Sequence, residues 1–219
     1  QEFMIVPGAA ASFREALREA AEIFHSLKKI LSDRKDSTAV GDEGGFAPFE
    51  LDGPMEAMEL IIHASEQAGY KGSCRLALDL AASEFYDTSG YRLYPQKPPF
   101  SYAEMAAEMD EWRQRYPIVS MEDPLSQDDW DGWVHLTQRL AGPSLQGGNP
   151  PLVVGDDLFV TNPDRLRRGI RDGAGNAILI KPNQIGTLTE TAEVVRLARD
   201  NGYATIASHR SGETEDPAL

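Results

Sequence analysis

The sequence predicts an α/β fold on a parallel sheet with right-handed crossovers, either open and doubly wound or closed as a barrel. Three observations predict it. Short, continuously apolar runs alternate with longer segments of helical period, the pattern of strands covered on both faces. The later runs end in polar residues that a buried strand does not need. The steps between those ends, from Asp79 to Glu122, Asp156, Lys181 and His209, are 43, 34, 25 and 28 residues. A barrel of eight βα units averages about 31 residues per unit, so each step fits one unit.

The strand candidates are Phe3–Val6, Leu76–Leu78, Ile118–Met121, Leu152–Val154, Ala177–Ile180 and Ala204–Ala207. After the first run, Ser12 and Glu15 form a capping-box pattern ahead of Phe13, Ala16, Leu17, Ala20, Phe24, Leu27 and Leu31, which share one helical face. Pro54 opens a second helix through Met58, Ile61 and Ile62 to Ala68, with Gly69 at the C-terminal cap. Tyr102, Met105, Met109, Trp112 and Tyr116 mark a third, and Trp130, Trp133 and Leu140 a fourth. The stretch from Gly142 to Pro151 reads as a surface loop. Asn162-Pro163 caps a fifth helix through Leu166 and Ile170, and Thr187 with Glu190 caps a sixth that ends near Gly202.

In such a barrel Asp79, Glu122, Asp156, Lys181 and His209 converge on the mouth at the C-terminal ends of the strands. Three carboxylates meeting there need a counter-charge. An all-oxygen set without cysteine or paired histidine favours a hard cation, Mg²⁺ above Zn²⁺. One such acid alone would be read as capping the next helix; three in consecutive units, followed by lysine, favour the metal. Lys181 precedes Pro182, which biases it to an extended backbone. It suits two roles, a general base or a neutraliser of Asp156 or Asp157.

Val40 to Pro48 is a glycine-rich loop with two acids that lacks the spacing and Lys-Ser/Thr of a phosphate-cradling loop. By itself it reads as a surface turn, although its glycines would allow Glu43 to be projected into a site. Ser208-His209-Arg210-Ser211-Gly212 offers a guanidinium and hydroxyls suited to a phosphate or carboxylate. His25, His63 and His135 fall on predicted helices with no catalytic company, and the Trp and Met residues at helical spacing are core. Cys74, the only cysteine, falls in a loop with no partner that would mark it as a nucleophile.

Composition narrows the class. The chain has 219 residues, 21 basic and 35 acidic, a formal charge of −14 and 41% hydrophobic residues, enough for a sizeable core. The acidic balance argues against a general nucleic-acid binder, because such affinity comes from Lys and Arg on phosphates. No apolar run reaches the ~18–20 residues of a membrane span, the start does not resemble a signal peptide, and a single cysteine permits no intrachain disulfide. A soluble, cytoplasmic protein is the expectation.

Taken together, Gln1-Glu2-Phe3-Met4-Ile5, Val40-Gly41-Asp42-Glu43-Gly44-Gly45, Leu78-Asp79, Ala82-Ser83-Glu84-Phe85-Tyr86, Tyr116 to Pro124, Gly155-Asp156-Asp157-Leu158, Asn183-Gln184-Ile185-Gly186-Thr187 and Ser208 to Glu213 closely resemble enolase. The motifs are long, in order and spread over essentially the whole chain. The resemblance implies an enolase-type TIM-like barrel, with residues 1–219 forming part of the C-terminal catalytic domain and about six of its eight strands. The N-terminal α+β domain and the last barrel strand would lie outside these residues. It implies a Mg²⁺-dependent lyase of glycolysis that interconverts 2-phosphoglycerate and phosphoenolpyruvate. A lysine base with Mg²⁺ is the arrangement known for the enolase superfamily.

The resemblance also implies residue roles. Asp79, Glu122 and Asp156 would hold Mg²⁺, the latter two also facing substrate. Lys181 would remove the C2 proton, and Glu43 would help the C3 hydroxyl depart as water. Glu2 would support Glu43 and the substrate, with Gln1 adjacent. His209, Arg210 and Ser211 would hold substrate, Arg210 through its phosphate, with Ser208 in the same loop. The intact protein would be a homo-oligomer. Pro182 stands where the family more often has a bulky apolar residue. The alternatives are a non-catalytic fragment or binding form, and, against the Glu43 loop and the Ser-His-Arg-Ser motif, a racemase or another dehydratase of the superfamily.

Overall fold

The computed structural model describes residues 1–8, 10–49, 51–145 and 149–208. The strands of the main sheet are β1 (Glu2–Pro7), β2 (Cys74–Asp79), β5 (Ile118–Glu122), β6 (Leu152–Gly155), β7 (Ala177–Ile180) and β8 (Ala204–Ala207). They lie in the order β1-β2-β5-β6-β7-β8, each beside its successor in the chain. A small hairpin, β3 (Tyr86–Asp87) and β4 (Gly90–Tyr91), stands apart. The helices are α1 (Phe13–Asp33), α2 (Pro54–Gln67), α3 (Tyr102–Arg115), α4 (Trp130–Leu140), α5 (Pro163–Asp172), the one-turn α6 (Pro182–Ile185) and α7 (Leu188–Asp200). This is the α/β architecture of an incomplete TIM barrel. No helix among the described residues is long and apolar enough to cross a membrane.

Within the main sheet every pairing from β2 to β8 is parallel. The expectation of a wholly parallel sheet fails at β1, which pairs antiparallel with β2, Glu2 opposite Asp79 and Pro7 opposite Cys74. The reason is the number of reversals between them. One intervening helix returns the chain for a parallel strand, whereas two successive helices, α1 and α2, return it pointing the other way.

The N-cap side chains bond as expected, while Glu15 accepts the N–H of Ala11 and not that of Ser12, so the box at α1 is half formed. Ser12, Asn162 and Thr187 each accept a backbone N–H of the first turn of their helices. Pro54 opens α2, and Gly69, at φ 90°, takes the left-handed position just beyond it. Two expectations are corrected. The inner face of α1 is formed by Glu19, Ile23 and Leu31, while Phe13 and Leu17 are 84% and 60% exposed. The helix packs on α2 and β1 through its later turns, and buried Glu19 is taken in by the Ser73 hydroxyl, which donates to it at 3.0 Å. Cys74 is the first residue of β2, not a loop residue, and burial pushes its thiol up.

The core lies between the sheet and helices α2 to α5 and α7, with Trp112, Trp133, Phe159, Met58, Met105, Met109 and Met121 almost fully enclosed. Phe159 is held by three glycines: a Cβ on Gly155 or Gly169 would come within 2.5 Å of its ring, and one on Gly175 within 3.6 Å. Its ring also meets Trp130 and Tyr203 at centroid distances of 6.5 and 6.2 Å.

Candidate functional site

The register of the sheet brings the acids of the mouth together. Glu2 faces Asp79 across β1 and β2, Asp79 faces Glu122 across β2 and β5, and Glu122 faces Val154, two residues before Asp156. Lys181 follows β7 and Ser208 follows β8, where the Ser208 N–H donates to Ile180 O at 3.1 Å. The inverted strand explains how Glu2, at the start of β1, reaches the same end as the strand-terminal acids.

Ligand oxygens of Glu122, Asp123 and Asp156 lie within 4.8 Å of one another. Asp79 lies beside this group rather than within it, its Oδ1 accepting the Ala81 N–H at 2.9 Å. Burial, then the charges of Asp79, Asp123 and Asp156, push Glu122 up to about 8. Burial above all raises Asp123 to about 8. Asp79 rises to about 6 through burial, against the Ala81 N–H and with the charge of Glu2. Carboxyls that resist ionisation because they are crowded and enclosed are relieved by a cation, and an oxygen-only donor set fits a hard divalent one.

Asp123, absent from the ligand set expected from the sequence, is 3% exposed with φ 38°. Its carboxylate accepts the backbone N–H groups of Asp156 at 3.1 Å and Asp157 at 2.9 Å. Its own N–H donates to Val154 O, and its carbonyl accepts from Ala82 N, each at 3.0 Å. Asp123 thus ties the ends of β2, β5 and β6 together. Of the five non-glycine residues with positive φ among those described, four sit in the loops that follow β2, β5 and β6: Ala81, Asp123, Val160 and Thr161. Each such residue costs about 1–3 kcal/mol and is kept only where surrounding contacts over-determine it.

Lys181 has the extended backbone expected before Pro182, φ −128° and ψ 95°. Its ammonium pairs with Asp156 Oδ2, and both side chains are largely enclosed. Gln184 Nε2 donates to the other oxygen, Oδ1, at 3.0 Å. The pairing matches the charge-neutralising role left open for Lys181, and it also places the amine among the acids, where a base would be needed.

Glu43 stands in a turn closed by Gly41 N–H to Gly45 O and Gly44 N–H to Gly41 O, both 2.9 Å. Gly44 has φ 84°, a backbone few side chains adopt. The turn is anchored by Phe46, whose ring stacks on Phe24 of α1 at 4.3 Å. Glu43 lines a cleft of about 870 Å³ whose walls include Gln1, Glu2 and Phe3. Glu2 therefore joins the two parts of the mouth, facing Asp79 on one side and sharing the cleft with Glu43 on the other.

His209, Arg210 and Ser211 lie outside the described residues, as does the middle of the Gly142–Pro151 loop. His25, His63 and His135 fall on α1, α2 and α4 as expected. The place of Asp123 in the cluster was not read from the sequence, where the acid doublet Glu122-Asp123 was its only signal. Against known families, residues 1–219 match the model described as enolase, C-terminal TIM barrel domain.

Proposed function

Because the chain belongs to the enolase C-terminal TIM barrel family, we propose that it carries the catalytic centre of a Mg²⁺-dependent lyase that reversibly dehydrates 2-phosphoglycerate to phosphoenolpyruvate. The observation that carries this reading is the cluster of Glu122, Asp123 and Asp156 with the Lys181 ammonium paired to Asp156. Asp79, Glu122 and Asp156 would hold Mg²⁺. Bound there, Mg²⁺ would offset the substrate carboxylate and the second negative charge that develops when the neighbouring proton leaves.

Lys181 removes the C2 proton as general base, for which its amine must be neutral and released from Asp156. Glu43 gives a proton to the departing C3 hydroxyl, since hydroxide is a poor leaving group. Glu2, with Gln1 beside it, orients Glu43 and the substrate from the shared cleft. His209, Arg210 and Ser211, with Ser208, hold the substrate, the Arg210 guanidinium being suited to its phosphate. Residues 1–219 are read as barrel domain of a cytoplasmic homo-oligomer.

The test is formation of phosphoenolpyruvate from 2-phosphoglycerate by the protein that carries this chain, with and without Mg²⁺. Dependence on Mg²⁺ supports the reading. Loss of a proton from C2 of another acid, with no turnover of 2-phosphoglycerate, would assign the site to a different reaction of the superfamily.

A further inference from the structure

We propose that Thr161 is a positioning residue that sets Lys181 and Asp156 for proton abstraction, acting through Gln184; the inference rests on the function proposed above. Thr161 is fully buried. Its Oγ1 accepts the Lys181 N–H at 2.9 Å and lies 2.9 Å from Gln184 Oε1 and 3.4 Å from Leu179 O. The hydroxyl has one proton, and the shorter contact takes it, so Thr161 donates to Gln184 Oε1. That turns Gln184 Nε2 toward Asp156 Oδ1, the only arrangement an ionised, acceptor-only carboxylate can use.

Asp156 Oδ2 then receives the Lys181 ammonium. The contacts form a closed ring: Lys181 backbone, Thr161 hydroxyl, Gln184 amide, Asp156 carboxylate, Lys181 ammonium. The Lys181 N–H and ammonium can only donate, so the one orientation open to choice is that of the Gln184 amide, which the Thr161 hydroxyl and the Asp156 carboxylate fix from its two ends. Gln184 is held to the same spot by its backbone, its N–H donating to Lys181 O at 2.9 Å in the one-turn helix that Pro182 begins.

The backbone supports this role. Val160 and Thr161 are consecutive β-branched residues in the left-handed region, at φ 44° and 53°, where such side chains are outliers. As a turn residue, glycine or asparagine would serve with less strain. Threonine in that position supplies a hydroxyl at a depth that glycine cannot. Strain of this kind is held by a rigid neighbour, and the neighbour is Phe159, seated among Gly155, Gly169 and Gly175. Its ring anchors the loop from one side while Asp156 O accepts the N–H groups of Phe159 and Val160 from the other.

The test compares Thr161→Val, which keeps shape and loses the hydroxyl, with Thr161→Ser, which keeps the hydroxyl. Thr161→Val is expected to lower kcat about 10–100-fold, the usual effect of losing a group that orients a ligand, with KM little changed. Thr161→Ser should restore most of it. Independently of turnover, hydrogen exchange at the Lys181 amide and acetic anhydride acylation of its side-chain amine in the neutral form released from Asp156, read by mass spectrometry, should rise in Thr161→Val and not in Thr161→Ser. Gln184→Leu, at an exposed position, breaks the ring without touching the strained loop and should raise the labelling in the same way. Unchanged exchange and labelling in a folded Thr161→Val, or wild-type labelling in Gln184→Leu should Thr161→Val not fold, overturns the positioning role. Wild-type protein inert toward 2-phosphoglycerate, with labelling that responds as stated, overturns the reaction and leaves the positioning role standing.

Discussion

The Asp123 carboxylate accepts the backbone N–H of Asp156 at 3.1 Å, so the residue after one strand fixes where the next strand's acid begins. Replacing Asp123 by Asn turns one accepting oxygen into a donor that faces a backbone N–H. The expected result is a divalent-cation affinity about 10–100-fold weaker and a stability loss of about 1–3 kcal/mol. Calorimetric titration with Mg²⁺ or Mn²⁺ and chemical denaturation measure the two separately. Wild-type cation affinity in Asp123→Asn would show that the Asp123 fork does not orient the ligand.

A second expectation concerns pH. In the folded chain Glu122 and Asp123 lie near 8 and Asp79 near 6, against ordinary values of 4.5 and 3.8. Between those limits the folded state holds more protons than the unfolded one, so stability present at low pH is lost as pH rises. Without divalent cation the thermal midpoint should fall from about pH 5 to about pH 8 on account of these groups. Mg²⁺ should raise it most at the upper end, where the carboxyls are easiest to ionise, and Glu122→Gln should flatten the slope. A cation-free midpoint that climbs across this window contradicts the crowding.

The two proposed proton carriers should separate. Lys181→Ala is expected to abolish exchange of the C2 proton with solvent, whereas Glu43→Gln should leave exchange and slow the loss of water. Isotope exchange followed by NMR, beside steady-state turnover, distinguishes them. Persistent exchange in Lys181→Ala removes the base assignment.

The Phe159 cradle offers a purely structural test. A Cβ at Gly169 would stand 2.5 Å from Phe159 Cε1. Gly169→Ala should therefore destabilise by about 1–3 kcal/mol through overpacking, and Phe159→Ala by about 3–5 kcal/mol through the cavity it leaves. Denaturant midpoints check both.

In the sheet, β1 and β8 are the terminal strands, each with a single partner among the described residues. The purified 219 residues alone are therefore expected to associate with concentration. Sizing at several concentrations decides it; a monomer at every concentration would refute the expectation.

Much of this was legible in the sequence, for reasons that differ by element. Caps at Ser12, Asn162 and Thr187 are local chemistry, and local chemistry survives folding. The strand-end acids were readable because a charged residue directly after a buried run has few explanations. The antiparallel β1 was missed although both intervening helices were readable, because the one-helix alternation of the later units was carried over to a segment that holds two. On α1, Phe13 and Leu17 satisfied the helical period but not the packing, because periodicity says which residues share a face and not how far a neighbour extends. Asp123 and Thr161 escaped because they act on backbone N–H groups and from left-handed conformations, which leave no spacing to recognise.

The inverted first strand has one more effect. With β1 running away from the mouth, α1 climbs back toward it, and the turn between α1 and α2 that bears Glu43 arrives beside Glu2. The proposed acid and the proposed base thus ride on parts of the chain with separate anchors, Glu43 on a helical hairpin stacked through Phe24 and Phe46, Lys181 at the end of β7. The hairpin turn can be lengthened, shortened or replaced without disturbing any strand register. A library confined to residues 41, 42, 44 and 45 would vary the setting of the proposed acid Glu43 while its Phe46 anchor and the proposed base Lys181 stay fixed.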